Sequence, residues 1–181
     1  MSQLFTLLLS AIVISVFCTG QSSAQSFGGA FDGVGDNDQP IQIEADSLEI
    51  VDDQNTALLT GNVNVVQGST IMKAKRIKVY YLRKNESNQS KSGIRKIEAS
   101  GKVAVRSEDN YATADNAVVD MISEIVTMNG NVFVSQGNNV ANGCRLTVNL
   151  KTSVSEIKPC KSSSGSGRVR ILLDPKSRKT N

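Results

Sequence analysis

The sequence predicts an all-β fold built from stacked antiparallel hairpins, and three observations carry that reading. One segment recurs three times without gaps, at offsets of 40 and 29 residues, headed by Gly61-Asn62-Val63-Asn64-Val65, Gly101-Lys102-Val103-Ala104-Val105 and Gly130-Asn131-Val132-Phe133-Val134. Apolar side chains within each copy fall on alternate residues, which is the period of a strand and not of a helix. Clusters of turn-forming residues separate the runs. A repeat of about thirty residues marks one supersecondary unit used several times, and such units bury a shared apolar face by stacking.

Taken in order, the array opens on Ile41-Gln42-Ile43 and a headless copy, Ala45-Asp46-Ser47-Leu48-Glu49-Ile50. Copy one alternates Ala57, Leu59, Val63 and Val65, copy two Ile97, Ala99, Val103 and Val105, and copy three Val126, Met128, Val132 and Val134. The other parity carries Thr60, Asn62, Asn64, Glu98, Lys102, Thr127 and Asn131, as expected of an antiparallel sheet wetted on one face. Each copy closes with a second block, Met72 to Val79, Ala112 to Val119 and Ala141 to Val148. Turns are expected at Asp52-Asp53-Gln54-Asn55, Gln67-Gly68-Ser69, Ser107-Glu108-Asp109-Asn110 and Gln136-Gly137-Asn138-Asn139. At Met121-Ile122-Ser123 only the register of the copies implies one. The longer first offset reflects eleven additional polar residues from Arg83 to Gly93, read as an exposed loop. No helix-rich segment is expected after the leader.

Gly61, Gly101 and Gly130 stand on the apolar parity in mid-strand, where a missing side chain marks a bend or bulge, or leaves room for a ligand. Both meanings are compatible with the pattern.

The first 24 residues hold an uncharged apolar run from Leu4 to Phe17, then Ser22-Ser23-Ala24, which reads as a signal peptide cleaved near Ala24. Its n-region lacks Lys and Arg, but the run is shorter than the ~20 residues a membrane span requires. Cys18 follows Phe17, a poor residue before a lipidated cysteine. Residues 25–39, rich in Gly, Asp and Gln, read as a flexible lead-in, residues 40–175 as one β domain and residues 176–181 as a tail. Cys144 and Cys160 then remain. Two cysteines in an exported chain usually pair, and theirs would fasten the last hairpin. Cys144 also occupies the position of Asp46, Lys75 and Asp115 in the other copies, where it would serve as a small side chain on the sheet.

Eight acids and no base precede Lys73, whereas all 20 Lys and Arg from Lys73 onward face the remaining nine of 17 acids, a net +11 suited to an anionic partner. Nucleic acid fits poorly, because Trp is absent and aromatic residues do not interleave with basic ones. Histidine is also absent, which removes the commonest general base, the His-dependent nucleophiles and most zinc sites. The paired carboxylates Asp52-Asp53 and Glu108-Asp109 lie in predicted turns. An enzyme is not expected, nor any cofactor or metal.

Gln39-Pro40-Ile41-Gln42-Ile43-Glu44-Ala45-Asp46, the strands Leu59 to Val63 and Met128 to Val132, Ala114-Asp115 to Val119, Gly167-Arg168-Val169 and Leu173-Asp174-Pro175 together resemble the LptA (OstA-like) family over residues 39–175. That resemblance implies an open, twisted β-jellyroll with an apolar groove, in a periplasmic protein that carries lipopolysaccharide from the inner to the outer membrane. It also implies end-to-end packing with an LptC-like inner-membrane anchor and an LptD-like outer-membrane receptor. An LptC-like membrane-anchored component and a structural β-solenoid or adhesin with a filled interior are the other readings. The family pattern does not include Cys144 and Cys160.

Under this reading the lipid-binding residues are those of the inward parity: Ile43, Leu48, Ile50, Leu59, Val63, Val65, Ile77, Val79, Val103, Val105, Val119, Val132, Val134, Leu146 and Val148. The first and last strands have no further copy to pair with. Ile41 and Ile43 at the acidic start, with Val169 and Ile171 at the basic finish, are the expected edges of a head-to-tail homo-oligomer.

Overall fold

A computed structural model of the chain describes residues 27–31, 39–82, 93–162 and 165–175. The strands are β1 (Ile41–Glu44), β2 (Ser47–Val51), β3 (Thr56–Gln67), β4 (Thr70–Tyr81), β5 (Ile94–Ser107), β6 (Asn110–Asp120), β7 (Ile125–Gln136) and β8 (Asn139–Asn149). β9 (Ser155–Lys158), β10 (Lys161–Ser162), β11 (Gly165–Ser166) and β12 (Arg170–Leu172) follow. Sheet order is β1-β3-β4-β5-β6-β7-β8-β12, with β2 added to β3 and β9 to β8, and β10 and β11 form a small ribbon of their own. All pairings are antiparallel, and β1 does not meet β12, so the sheet is open.

The glycines explain how one sheet becomes a jellyroll. In the β3–β4 register Thr60 faces Arg76 and Val63 faces Ala74, leaving Gly61 and Asn62 opposite Lys75 alone. Gly101-Lys102 against Asp115, and Gly130-Asn131 against Cys144, repeat this two-against-one bulge. Gly61, Gly101 and Gly130 have φ of +76°, +82° and +79°, and Asn62, Lys102 and Asn131 after them are left-handed too. A Cβ at these glycines would collide with the side chains of Asp46, Lys75 and Asp115. The glycines therefore bend the strands, and the space they leave is taken by the neighbouring strand's side chain, not by a ligand.

Each long strand is thereby folded into two halves, and the stacked halves form two facing wings. One wing contains residues 56–60, 76–81, 94–100, 116–120, 125–129 and 145–149, and the other residues 63–67, 70–74, 103–107, 110–114, 132–136 and 139–143. On β4 the interior parity changes at the bend, where Met72 and Ala74 give way to Ile77 and Val79 across two exposed residues, Lys75 and Arg76. At either end a broken strand caps the wings separately, β1 and β2 on β3, β12 and β9 on β8.

The turns fall where the sequence places them. The implicit turn after β6 has a clear cause: Asp120 Oδ1 accepts hydrogen bonds from the Ile122 and Ser123 amides at 3.0 and 2.9 Å. This contact holds the Asp120 carboxyl below the usual carboxylate range, led by the Ser123 amide. Strand β12 contains Ile171 but not Val169, the other residue expected at that edge, which lies one residue before it. Asp174 finishes the segment, its amide donating to Asn139 Oδ1 and its carboxylate accepting from Asn138 Nδ2. Phe27–Phe31, inside the stretch read as a flexible lead-in, form a 3-10 turn with Ala30 and Phe31 buried. The leader (1–24), residues 83–92 of the polar insertion and the tail (176–181) lie outside the described residues.

Candidate functional site: an apolar groove between the wings

Between the wings lies an apolar cavity of about 100 Å³, partly open to solvent, towards the N-terminal end of the array. Leu59, Ile77, Val79 and Val119 line it from one wing, and Val65 and Val105 from the other, joined by Ile43 on β1. These seven come from the expected inward set. Ile41, expected as an assembly edge, lines the cavity as well.

The other inward residues are placed differently. Val63, Val103, Val132, Val134, Leu146 and Val148 are buried in the hydrophobic core and do not line the cavity: Val63 on β3 and Val103 on β5 follow directly on the bends, and the other four lie on β7 and β8, where the wings close on one another. Leu48 and Ile50 pair with Leu59 and Ala57, yet are 57% and 63% exposed. They belong to the end of the stack, where nothing among the described residues covers β2.

Phe31, Gln67, Thr70, Met72, Ile94, Ile97, Ala117 and Met121 complete the lining and were not singled out as site residues. Alternation alone flags Ile97, and the repeat alignment flags Met72 and Ala117. No sequence signal distinguishes Phe31 from other residues of a Gly- and Asp-rich stretch.

A basic cluster lies on the outer face of β4 and β5, near the end of the wing that bears the cavity-lining Ile94. Tyr81 and Ile94 are the last paired residues of β4 and β5, and one step inward Tyr80 faces Lys96 on the outer surface. Lys78 Nζ, the Arg95 guanidinium and Lys96 Nζ stand 5.1, 5.8 and 5.6 Å from the Tyr80 ring centre. Glu98 links them, accepting from Tyr80 Oη at 2.8 Å and pairing with Lys96. The Lys96 ammonium holds the Glu98 carboxyl below its ordinary range, and Glu98 in turn raises Lys96 and Tyr80.

At the C-terminal end, Cys144 in the bulge of β8 is bonded to Cys160 beyond β9, with Cα atoms 4.8 Å apart. Gly143 allows this approach, since a Cβ there would meet Ile157 and the Lys158 carbonyl. Among the described residues, no cluster of three or more His, Cys, Asp or Glu side chains is arranged to hold a metal.

A bent open sheet around an apolar groove defines an open β-jellyroll, and comparison with known proteins places it in a family. The profile of the LptA/(LptD N-terminal domain) LPS transport protein family matches residues 42–154, and the chain belongs to that family of lipopolysaccharide transport proteins. It is similar to the uncharacterized protein R00383 of Rhizobium meliloti, 42% identical over 147 residues that cover 80% of this chain and 76% of the relative. A Rhizobium etli protein from the 5′ region of an rpoN-linked probable transport protein is 48% identical over 46 residues, covering 25% of this chain and 76% of its own. The crystal structure of LptH, described as the LptA-homologous periplasmic component of the lipopolysaccharide transport device of Pseudomonas aeruginosa, shares the fold. Its TM-score is 0.64 at 18% identity, over 78% of this chain and 99% of LptH.

Proposed function

We propose that this protein is a periplasmic lipopolysaccharide carrier that shields lipid A acyl chains in the groove and hands the lipid onward from inner to outer membrane. The observation carrying this reading is an apolar groove, partly open to solvent, in a family of lipopolysaccharide transport proteins. An amphiphile with several acyl chains cannot cross water unaided, because each exposed methylene costs about 0.8 kcal/mol. Side chains such as Leu59, Ile77 and Val105 would replace water around the chains. The sugar-phosphate portion would remain outside, near Lys78, Arg95 and Lys96. No chemical step is required.

Both ends of the stack support a bridge. β1 and β12 each pair on one side only among the described residues, and exposed apolar side chains cluster at both mouths: Ile41, Ile43, Leu48 and Ile50 at one, Ile171, Leu172 and Leu173 at the other. Strand addition would cover them, either with another copy head to tail or with an LptC-like anchor and an LptD-like receptor. A photo-crosslinking side chain at Val105 should capture lipopolysaccharide in cells, and one at Lys102 or Asn64 should not. Equal capture from both faces would refute the groove.

A further inference from the structure

The cavity is too small for the cargo just proposed. At about 100 Å³ it falls below the ~150 Å³ of an engineered protein cavity that holds one benzene ring. Several acyl chains require much more space, so a chain seated wholly inside the groove must displace an occupant.

Each of the strands β5–β8 is held in the sheet by a ladder on both edges. One occupant is not held in this manner. The turn Phe27–Phe31 belongs to no strand, yet Ala30 is 0% and Phe31 3% exposed. It packs against β5, β6 and β7, with Gly29 closely against the Asn110 side chain. Phe31 also forms part of the cavity wall, at the boundary between the open groove and the region where the interior is filled.

We propose that Phe27–Phe31 is a displaceable plug whose berth, bounded by β5, β6 and β7, is an acyl-chain subsite. In lipid-free protein Ala30 and Phe31 keep the berth dry. An acyl chain of an incoming lipopolysaccharide expels them and extends the groove towards β7 and β8. A short apolar turn is suited to this role: it prevents collapse or wetting of the empty groove, and its few contacts are replaced by those of the acyl chain. The proposal rests on the lipid-carrier reading above.

The test is equilibrium binding of fluorescent-headgroup lipopolysaccharide to the mature protein and to a Phe27→Ala/Phe31→Ala variant. A plug that occupies its berth in most molecules lowers apparent affinity by the fraction of time the site is free. The variant should therefore bind roughly three- to tenfold more tightly, and Phe31→Leu should restore wild-type affinity. Unchanged or weaker binding by a variant with intact strand content and a cooperative melt would overturn the plug and leave a purely structural turn.

Should the double variant fail to fold, p-azidophenylalanine at Phe31 gives the same answer. It should crosslink internally in lipid-free protein and lose that product at saturating lipopolysaccharide, whereas an internal crosslink indifferent to lipid would refute the proposal. If wild-type protein and variants alike bind no lipopolysaccharide, the carrier reading fails, and the plug with it.

Discussion

Asp115 on β6 accepts a 2.9 Å hydrogen bond from Asn131 Nδ2 on β7, across the bend of the sheet. Asp46 receives the same bond from Asn62, at 3.0 Å, two repeats removed. In both places the carboxylate sits where the adjacent glycine's Cβ would otherwise be. The bend is thus a composite of a left-handed Gly-Asn pair and a short acid that fills the vacated space.

Gly130→Ala should destabilise the fold by about 2–3 kcal/mol in urea denaturation, combining left-handed backbone with a clash against Asp115. Gly137→Ala shares the positive φ but meets nothing within 4 Å, so it should cost only the conformational part, about 1 kcal/mol. Asn131→Ala, losing the hydrogen bond alone, should also cost about 1 kcal/mol. Equal losses for the two glycines would show that the acid does not shape the bend.

The bond between Cys144 and Cys160, 16 residues apart, should contribute on the order of 3 kcal/mol in the chain-entropy model. Reduction, or Cys144→Ala with Cys160→Ala, should lower the melting temperature by several degrees. Two reactive thiols in denatured, unreduced protein would rule the bond out.

The Glu98 carboxyl, held below its ordinary range chiefly by Lys96, stabilises the fold above the usual carboxylate range, and this contribution is lost as pH falls through its depressed value. Lys96, raised chiefly by Glu98, stabilises below its ordinary range, and that contribution is lost as pH rises through its raised value. Glu98→Gln should therefore flatten the melting profile on both limbs while leaving the acid-limb contribution of Asp120. Because both partners are more than a third exposed, the difference should be small and should shrink with added salt.

Ala117 borders the groove at a buried position. Ala117→Leu should narrow the cavity and reduce lipopolysaccharide capture at Val105, with an overpacking cost of about 1–3 kcal/mol that leaves the protein folded. Undiminished capture would place the acyl chains elsewhere.

Concentration-dependent end-to-end oligomers are expected to weaken with salt, given the acidic start and basic finish of the chain, and to vanish when residues 169–172 are deleted. Sedimentation showing a strict monomer at high concentration would argue against the bridge.

The sequence by itself determined the repeat, the side of each strand that turns inward and the residues where strands bend, because side-chain alternation and left-handed glycine are properties of the local backbone. Gly61, Gly101 and Gly130 could be located without knowing what they bent towards. Tertiary structure decided which inward residues border space and which are core. Val105 and Val134 occupy equivalent positions in their copies, yet only Val105 reaches the cavity, because the wings separate towards β1 and close over β7 and β8. Leu48 and Ile50 follow the inward pattern but remain exposed, since they cap the stack and no opposing wing covers them. Phe31 was illegible for the same reason: an aromatic in a polar stretch gains its meaning from a berth formed by strands more than sixty residues later. Alternation records which way a side chain points, whereas the distance to the facing wing is set by contacts between segments remote in the chain.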